Sequence, residues 1–388
     1  MTSLWERRIQ FAAHPLAYPL VHGLARIGPV VRVPGIGVVV SDAGTARTVL
    51  TDTATFSKAA SGSPADLWTP VLGPTVLLNM VGEDHARLRR KLSGLFTPQA
   101  VAALCERILT GVLAEMTTRL VGGQRVDLVA EVRRCAGAVI AELTGLPYDP
   151  ARFAEMFARS TEITSMVRLS RRGLTPRQVA HARQVMDELT APAVAAYRAA
   201  LAGTVPGRMR ELGLTEQEAR GAVAAFVLTG TETLVSFVPR LVALAYDSGW
   251  LARLAEDTTR YDAVVAEALR FTVPSPVMLR GVVTAGRVGG VAVSPGDRVV
   301  IATLSCARAY GPFDPDRPHP VALRQLWFGA GAHYCLGMPL ALAEINAIFS
   351  AVLDAWRRAG PLAITGRRAA TGVLIPGYAR LTLGRVTS

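Results

Sequence analysis

Apolar runs with the end signals of helices dominate the chain. The longest begins at Thr215, where Thr215 and Glu218 have the spacing of a capping box, and continues to about Asp247. At about 1.5 Å per residue this helix spans roughly 50 Å, which is enough to cross a domain of this size. A second apolar run occupies residues 336–349 and continues beyond them. The pattern predicts a protein built mainly from helices.

Strand signals are short and few. β-branched runs at residues 30–33 and 38–40 flank the turn-forming stretch PGIG, in which Gly35 is the expected turn residue, and they predict a hairpin. Later β signals lie at residues 281–284, 291–293, 299–301, 362–364 and 379–383. The expected fold class is therefore mainly α with a minor β lobe.

Composition and charge narrow the class of protein. Of the 388 residues, 50% are hydrophobic and 19% are charged, so the chain can bury one or two large cores. The net charge of +12 favours acidic partners. The arginines are scattered along the chain and aromatic residues are only 6%, so we expect no nucleic-acid partner.

The amino terminus and the cysteines indicate a compartment. The first residues, MTSLWERR, are charged and lack the long apolar run of a signal peptide or membrane anchor, so we expect a soluble, cytoplasmic protein with no membrane segment. Four cysteines without zinc-like spacing fit a reducing environment.

The stretch FGAGAHYCLG, Phe328–Gly337, is the most informative segment of the chain. Three glycines let its backbone lie flat against a large planar ligand. Cys335 stands at the start of a helical run, where terminal amides and the helix dipole favour a thiolate. A thiolate is the proximal ligand with which a ferric haem cleaves an O–O bond.

On this loop the sequence resembles the cytochrome P450 superfamily. The resemblance implies one domain over residues 1–388, a haem b cofactor and Cys335 as the iron ligand. It also implies that the loop binds the cofactor through Phe328, Gly329, His333 and Gly337.

Upstream, Glu267-Ala268-Leu269-Arg270 resembles the family's Glu-x-x-Arg motif. Its flanks are apolar on nearly every side, so we expect a buried ion pair that needs further partners. The segment FDPDR resembles the family's Phe-x-Pro-x-Arg, which implies that Arg317 is the third member of this network. The stretch between Ala307 and Phe328 is shorter than is usual in the family.

On the long helix, Thr229-Gly230-Thr231-Glu232-Thr233 resembles the family's oxygen-activation element. By that resemblance Gly230 opens a groove beside the iron, Thr233 hydrogen-bonds the dioxygen or its water, and Glu232 delivers protons. Thr229 stands where the family usually has alanine and adds a hydroxyl near the distal pocket.

The charged stretch HARLRRK from His85 resembles the family's His-x-x-x-Arg. His85 and Arg89 lie on one helix face, and the resemblance makes them haem-propionate ligands together with Arg280 and His333. The other face carries Arg87, Arg90 and Lys91. It is either an ordinary solvated surface or the docking face of the electron donor.

The substrate pocket follows only from the resemblance. Its expected wall is nearly all aliphatic, which sets size and shape but not chemical identity. The residues are Leu72, Leu77, Leu78, Ala225, Leu228, Thr229, Val277, Met278 and Leu374. An arginine cluster in the expected roof is either a solvated surface or a recognition site for an acidic or peptide substrate; it comprises Arg168, Arg171, Arg172, Arg177 and Arg183.

The resemblance implies a monomeric haem-thiolate monooxygenase that takes electrons from a ferredoxin and its ferredoxin reductase. We expect it to oxidise an apolar or aromatic, secondary-metabolite-like small molecule. Two alternatives are oxidative aryl cross-linking of a short aromatic peptide and a non-catalytic haem sensor or recruitment domain.

Overall fold

The computed structural model describes residues 4–146, 149–167, 173–201 and 203–385, with only the backbone at Thr231. Helices dominate, as the sequence predicts. Before the long helix they are α1 (Leu4–Ala13), α2 (Ala17–Ile27), α3 (Ala43–Thr51), α4 (Ala65–Leu72), α5 (Gly82–Ser93), α6 (Pro98–Val121), α7 (Leu128–Thr144), α8 (Pro150–Ser165), α9 (Pro176–Arg198) and α10 (Val205–Glu211). The remaining helices are α11 (Glu216–Asp247), α12 (Trp250–Glu256), α13 (Tyr261–Thr272), α14 (Thr303–Arg308) and α15 (Met338–Ala359).

The strands form a minor β region. They are β1 (Val30–Val33), β2 (Gly37–Val40), β3 (Phe56–Ser57), β4 (Val126–Asp127), β5 (Met278–Val282), β6 (Gly286–Val288), β7 (Val291–Val293), β8 (Arg298–Ile301), β9 (Leu362–Ala369) and β10 (Tyr378–Arg385). In the described ranges the largest sheet has the order β1-β2-β8-β5-β3. The predicted hairpin is confirmed: Val30 pairs with Val40, and Gly35 has φ +77° in the turn.

Helix α11 begins and ends as the sequence predicts. Thr215 caps it, with its hydroxyl accepting from the Glu218 amide at 3.1 Å while Glu218 accepts from the Thr215 amide at 2.9 Å. The helix packs against α7, α9, α13 and α15. It therefore runs through the centre of the molecule, where its middle can reach an interior site.

A buried ionic network ties the amino-terminal helix to this core. Glu6 of α1 is 2% exposed and accepts from Arg240 of α11 at 2.6 Å and from Arg308 of α14 at 3.0 Å. Arg240 also donates to the carbonyl oxygen of Thr272 at 2.8 Å. Both guanidinium groups share the Glu6 carboxylate and also donate to backbone carbonyl oxygens, so the fold itself satisfies their hydrogen bonds.

In the part of the chain that the structure describes, two helices are long and apolar enough to cross a membrane by length and composition alone. They are α11 and α15, with 65% and 39% of their apolar windows buried inside the protein. Core helices of proteins that contain no membrane span pass the same test, so this finding is weak support for a membrane span.

Candidate haem-thiolate site

The cysteine loop folds back on itself before α15. The amide of Cys335 donates to the carbonyl oxygen of Phe328 at 2.9 Å. Gly329 and Gly331 have φ of +83° and +67°, conformations that other residues rarely adopt. Gly337 is the N-cap of α15. The loop is thus held at the amino-terminal end of a long helix.

Cys335 differs from the other cysteines in its exposure. Its thiol is exposed, whereas Cys105, Cys135 and Cys306 are buried and burial raises the pKa of each to about 12. Burial also raises the pKa of Cys335, which together with its exposure is typical of a group lining an interior cavity. Only this thiol is accessible to a ligand.

Several neighbouring groups favour the thiolate form of Cys335, but burial of the thiol opposes it. Backbone N–H groups of Gly337 and Met338 and the charges of Arg89 and Lys58 lower the pKa of Cys335, yet desolvation outweighs them. The helix-terminal N–H groups thus favour the thiolate, in the expected direction, while burial opposes it. A ferric iron held by Cys335 would add positive charge and favour the thiolate further.

Cationic side chains gather around this thiol. Burial lowers the pKa of Arg280 to about 10 and of Lys58 to about 7, and it also lowers the pKa of Arg89. Among the residues that the structure describes, none of these three side chains forms an ion pair with a carboxylate. The cluster fits an anionic ligand. Sequence analysis missed Lys58, and its only signals were the adjoining short strand and the rarity of lysine.

Two histidines belong to the same cluster. The rings of His85 and His333 lie 4.3 Å apart, centroid to centroid. Burial and the neighbouring cations lower the pKa of both, to about 4 for His85. They are therefore neutral hydrogen-bonding groups beside the cations at neutral pH.

The middle of α11 borders open space. Thr229 and Gly230 are exposed although the helix around them is buried, and a side chain at Gly230 would meet no atom within 4 Å. The Thr233 hydroxyl donates to the carbonyl oxygens of Thr229 at 3.2 Å and Gly230 at 3.4 Å. Thr229 donates to the carbonyl oxygen of Ala225 at 2.7 Å. Both hydroxyls donate to carbonyl oxygens of their own helix. Each must therefore rotate before it can hydrogen-bond a ligand.

Glu232 points toward α8. It is 8% exposed and accepts from the hydroxyl of Thr164 at 3.3 Å. A cavity lies beside it, lined also by Arg133 and by Thr161, whose buried hydroxyl has no hydrogen-bond partner among the described residues. Such polar surroundings suit ordered water. Glu232 thus lies between the distal helix and a polar cavity.

The predicted pocket residues separate into two groups. Leu72 and Leu77 pack on the core beneath α9, Leu78 is half-buried beside them, and Ala225 is 8% exposed near Thr229. Met278 lies on the cysteine-loop side, with its sulfur 4.0 Å from the position that a Gly329 side chain would take.

Of the other three predicted pocket residues, one is fully packed and two line a different cavity. Leu228 is 3% exposed and belongs to the core with α9. Val277, which directly precedes β5, packs against Leu24 of α2 and its neighbours rather than the cysteine loop. Val277 and Leu374 instead line a separate cavity of about 390 Å³ between α2 and α14.

The Glu267–Arg270 pair is buried, at 1% and 0% exposure, as the flanking pattern predicts. Arg270 donates to both carboxylate oxygens at 2.6 Å. The third side chain is His319, whose Nε2 lies 2.7 Å from Glu267 Oε2. The amide of Asp314 also donates to the carboxylate, at 2.8 Å.

The prediction that Arg317 joins Glu267 is therefore wrong. Arg317 donates to the carbonyl oxygen of Tyr310 at 2.6 Å and to that of Pro312. It shares the Pro312 carbonyl with Arg270 but does not reach the carboxylate. In this short segment a proline follows Arg317 directly, and the next residue, His319, takes the place beside Glu267.

The basic residues predicted for the docking face and for the roof differ in the contacts that they make. Arg87 and Lys91 lie 2.9 Å and 3.3 Å from the carboxylate of Glu218, whereas the exposed Arg90 has no ion pair in the described part of the chain. In the roof, Arg183 donates to the carbonyl oxygen of Pro70 at 2.6 Å and Arg177 is exposed. Arg168, Arg171 and Arg172 lie outside the described residues.

Together, the accessible thiol, the surrounding cations and the open space at Gly230 are the features of a haem-thiolate type of site. The family profile Cytochrome P450 matches residues 258–359. The C-19 steroid 1alpha-hydroxylase of Sorangium cellulosum is 30% identical over 71% of this chain and 73% of its own.

Two further comparisons agree with the first. The erythromycin C-12 hydroxylase of Saccharopolyspora erythraea is 30% identical over 77% of this chain and 76% of its own. A mutant of P450 EryK in complex with erythromycin B superposes with TM-score 0.79 and 25% identity over 97% of this chain and 98% of that one. The chain belongs to the cytochrome P450 family and is a P450 monooxygenase with a haem-iron cofactor.

Proposed function

We propose that this monooxygenase hydroxylates or otherwise tailors an apolar or aromatic secondary-metabolite-like molecule. The proposal includes haem b, one domain over residues 1–388, a monomeric state and a soluble, cytoplasmic protein. It also includes a ferredoxin and its reductase as electron donors. The single observation that carries it is the accessible thiol of Cys335 among cations.

The residues present fit the cofactor. Cys335 would hold the iron, and His85, Arg89, Arg280 and His333 would surround the propionates. When bound, haem supplies dioxygen activation and the insertion of an oxygen atom into a C–H bond. The protein's part is to exclude water, to orient the substrate and to move protons.

In this proposal, Glu232 and Thr233 of α11 transfer the protons. Glu232, beside its polar cavity, would hand protons inward, and the Thr233 hydroxyl would receive them after rotating away from the backbone. Without the Thr233 hydroxyl, haem and substrate should still bind, but protons would be delivered at the wrong time. Thr233→Ala should therefore keep haem and substrate binding while most reducing equivalents appear as peroxide.

The decisive measurement is the spectrum of the reduced protein with carbon monoxide. Thiolate ligation should give the long-wavelength Soret band of this family, and Cys335→His should abolish it. An unchanged band in that variant would refute Cys335 as the ligand.

Substrate class can then be measured by the Soret shift on adding compounds. The panel should contain steroids, macrolides and short aromatic peptides, because steroid and erythromycin are named among the relatives and exposed Arg177 lies in the expected roof. A shift confined to acidic polar compounds would contradict an apolar or aromatic substrate.

A further inference from the structure

Lys58 lies near Arg280 beside the largest sheet. Strands β3 and β5 pair antiparallel, with Phe56 opposite Val282 and Ser57 opposite Gly281, and Lys58 follows β3 directly. Ala60 and Ser61 lie against Gly281, so the chain after Lys58 packs beside the strand that carries Arg280. The charge of Lys58 interacts with Arg280, Arg89 and the Cys335 thiol. Lys58 is therefore close to the proposed haem site.

The backbone holds Lys58 in this place. Its carbonyl oxygen accepts a hydrogen bond from the Ser63 hydroxyl. The chain that follows it lies directly on β5, since a side chain at Gly281 would overlap the carbonyl oxygen of Ser61. Because the backbone at Lys58 is held in place, its side chain can reach only a limited region of the protein.

The charge around Lys58 is unbalanced. The neighbouring charges of Arg280 and Arg89 both oppose the charge on Lys58, so three cations lie near one another. In the described ranges none of the three has a carboxylate partner, and the only acidic group noted near Lys58 is the Cys335 thiol. If the Cys335 thiolate binds the iron, its negative charge is no longer available to the three cations. They then still lack an anion.

We propose that Lys58 binds a haem propionate together with Arg280. The inference rests on the proposed haem cofactor and adds a cofactor-binding residue to it. Haem carries two propionates, so three cations can neutralise both, and Lys58 with Arg280 forms a two-pronged clamp on one of them. Lysine is rare here: of 42 basic residues only Lys58 and Lys91 are lysines.

The test starts from the haem-loaded protein and measures transfer of haem to excess apomyoglobin through the Soret band. Lys58→Met should lose haem roughly tenfold faster than wild type, because a charge-assisted hydrogen bond is removed. Lys58→Arg should stay within about threefold, since the cation is kept. Lys91→Met, which removes the other lysine, should match wild type.

A second arm distinguishes the propionate from other anions. Both proteins are loaded with haem dimethyl ester, whose propionates carry no charge. The difference between wild type and Lys58→Met should then vanish. If it persists, Lys58 acts on the thiolate or elsewhere and the inference is overturned.

The two proposals fail in different ways. A wild-type protein that takes up no haem refutes the proposed cofactor. A wild type that holds haem, with Lys58→Met losing it at the same rate, refutes only the clamp. Amine acetylation followed by mass spectrometry gives an independent readout: bound haem should protect Lys58 more than the ester does, with Lys91 unaffected.

Discussion

The protein contains two kinds of buried charge cluster. Around Glu267, each charge has its counter-charge or hydrogen-bond partner, from Arg270, His319 and the Asp314 amide. Around Cys335, Lys58, Arg89 and Arg280 have no carboxylate in the described residues. We call these the closed cluster and the open cluster.

The difference separates structural from ligand-binding charge. In a closed cluster the protein's own groups balance each buried charge. Removing one member therefore leaves another charge buried without its partner. An open cluster is balanced only by something from outside, so its members affect retention of the ligand more than folding. The network of Glu6, Arg240 and Arg308 is of the closed kind.

The largest effect should come from breaking the closed cluster. Glu267→Ala should destabilise the haem-loaded protein by about 3–5 kcal/mol, because it leaves the guanidinium of Arg270 buried without its counter-charge. Chemical denaturation measures this loss. Asp354→Ala, which removes an exposed pair with Arg358, is the control and should change little. Equal stability of both variants would contradict the closed cluster.

The same carboxylate predicts a pH dependence. Although burial raises the pKa of Glu267, hydrogen bonds from Arg270 and His319 outweigh it and the pKa is lowered overall. A lowered folded-state pKa stabilises the protein above the unfolded value, and this contribution is lost as pH falls through the folded value. The stability gap between wild type and Glu267→Gln should therefore narrow in acid. A gap that stayed constant would oppose this view.

A double-mutant cycle can decide which side chain completes the closed cluster. Glu267→Gln combined with His319→Ala should show a coupling of about 1–3 kcal/mol, since the hydrogen bond at 2.7 Å joins them. With Arg317→Ala the coupling should be close to zero. The reverse result would restore Arg317 to the network.

The open cluster should respond in the opposite sense. Arg89→Met should speed haem loss roughly tenfold, because the variant removes one of the cations around the propionates. Its unfolding free energy should fall far less than that of Glu267→Ala. A large loss of stability with unchanged haem retention would show that the open cluster is structural.

Surface cations provide the smallest effect. Arg87 and Lys91 are engaged by Glu218, so Arg90 is the best single probe of the proposed docking face. Arg90→Glu should lower ferredoxin-driven turnover roughly two- to tenfold at low salt, with the difference shrinking as salt is added. Peroxide-driven turnover should not change. An equal fall by both routes would place the donor elsewhere.

Much of the fold was predictable from local patterns. The capping box at Thr215 and the apolar run after it predicted α11, and PGIG between β-branched runs predicted the first hairpin. The order of short motifs, ending at Cys335, indicated the family. These signals depend on periodicity, caps and turns within a few residues, so the sequence alone determined them.

Only the tertiary structure decided which side chains meet. Lys58 and Arg280 are 222 residues apart, and the pairing of β3 with β5 brings the two segments together. Nothing local distinguishes Arg317 from His319, two residues away, as the partner of Glu267. The side of the sheet against which Val277 packs depends on α2, which is distant in the sequence. Such choices depend on contacts between distant segments, and a local sequence pattern does not contain them.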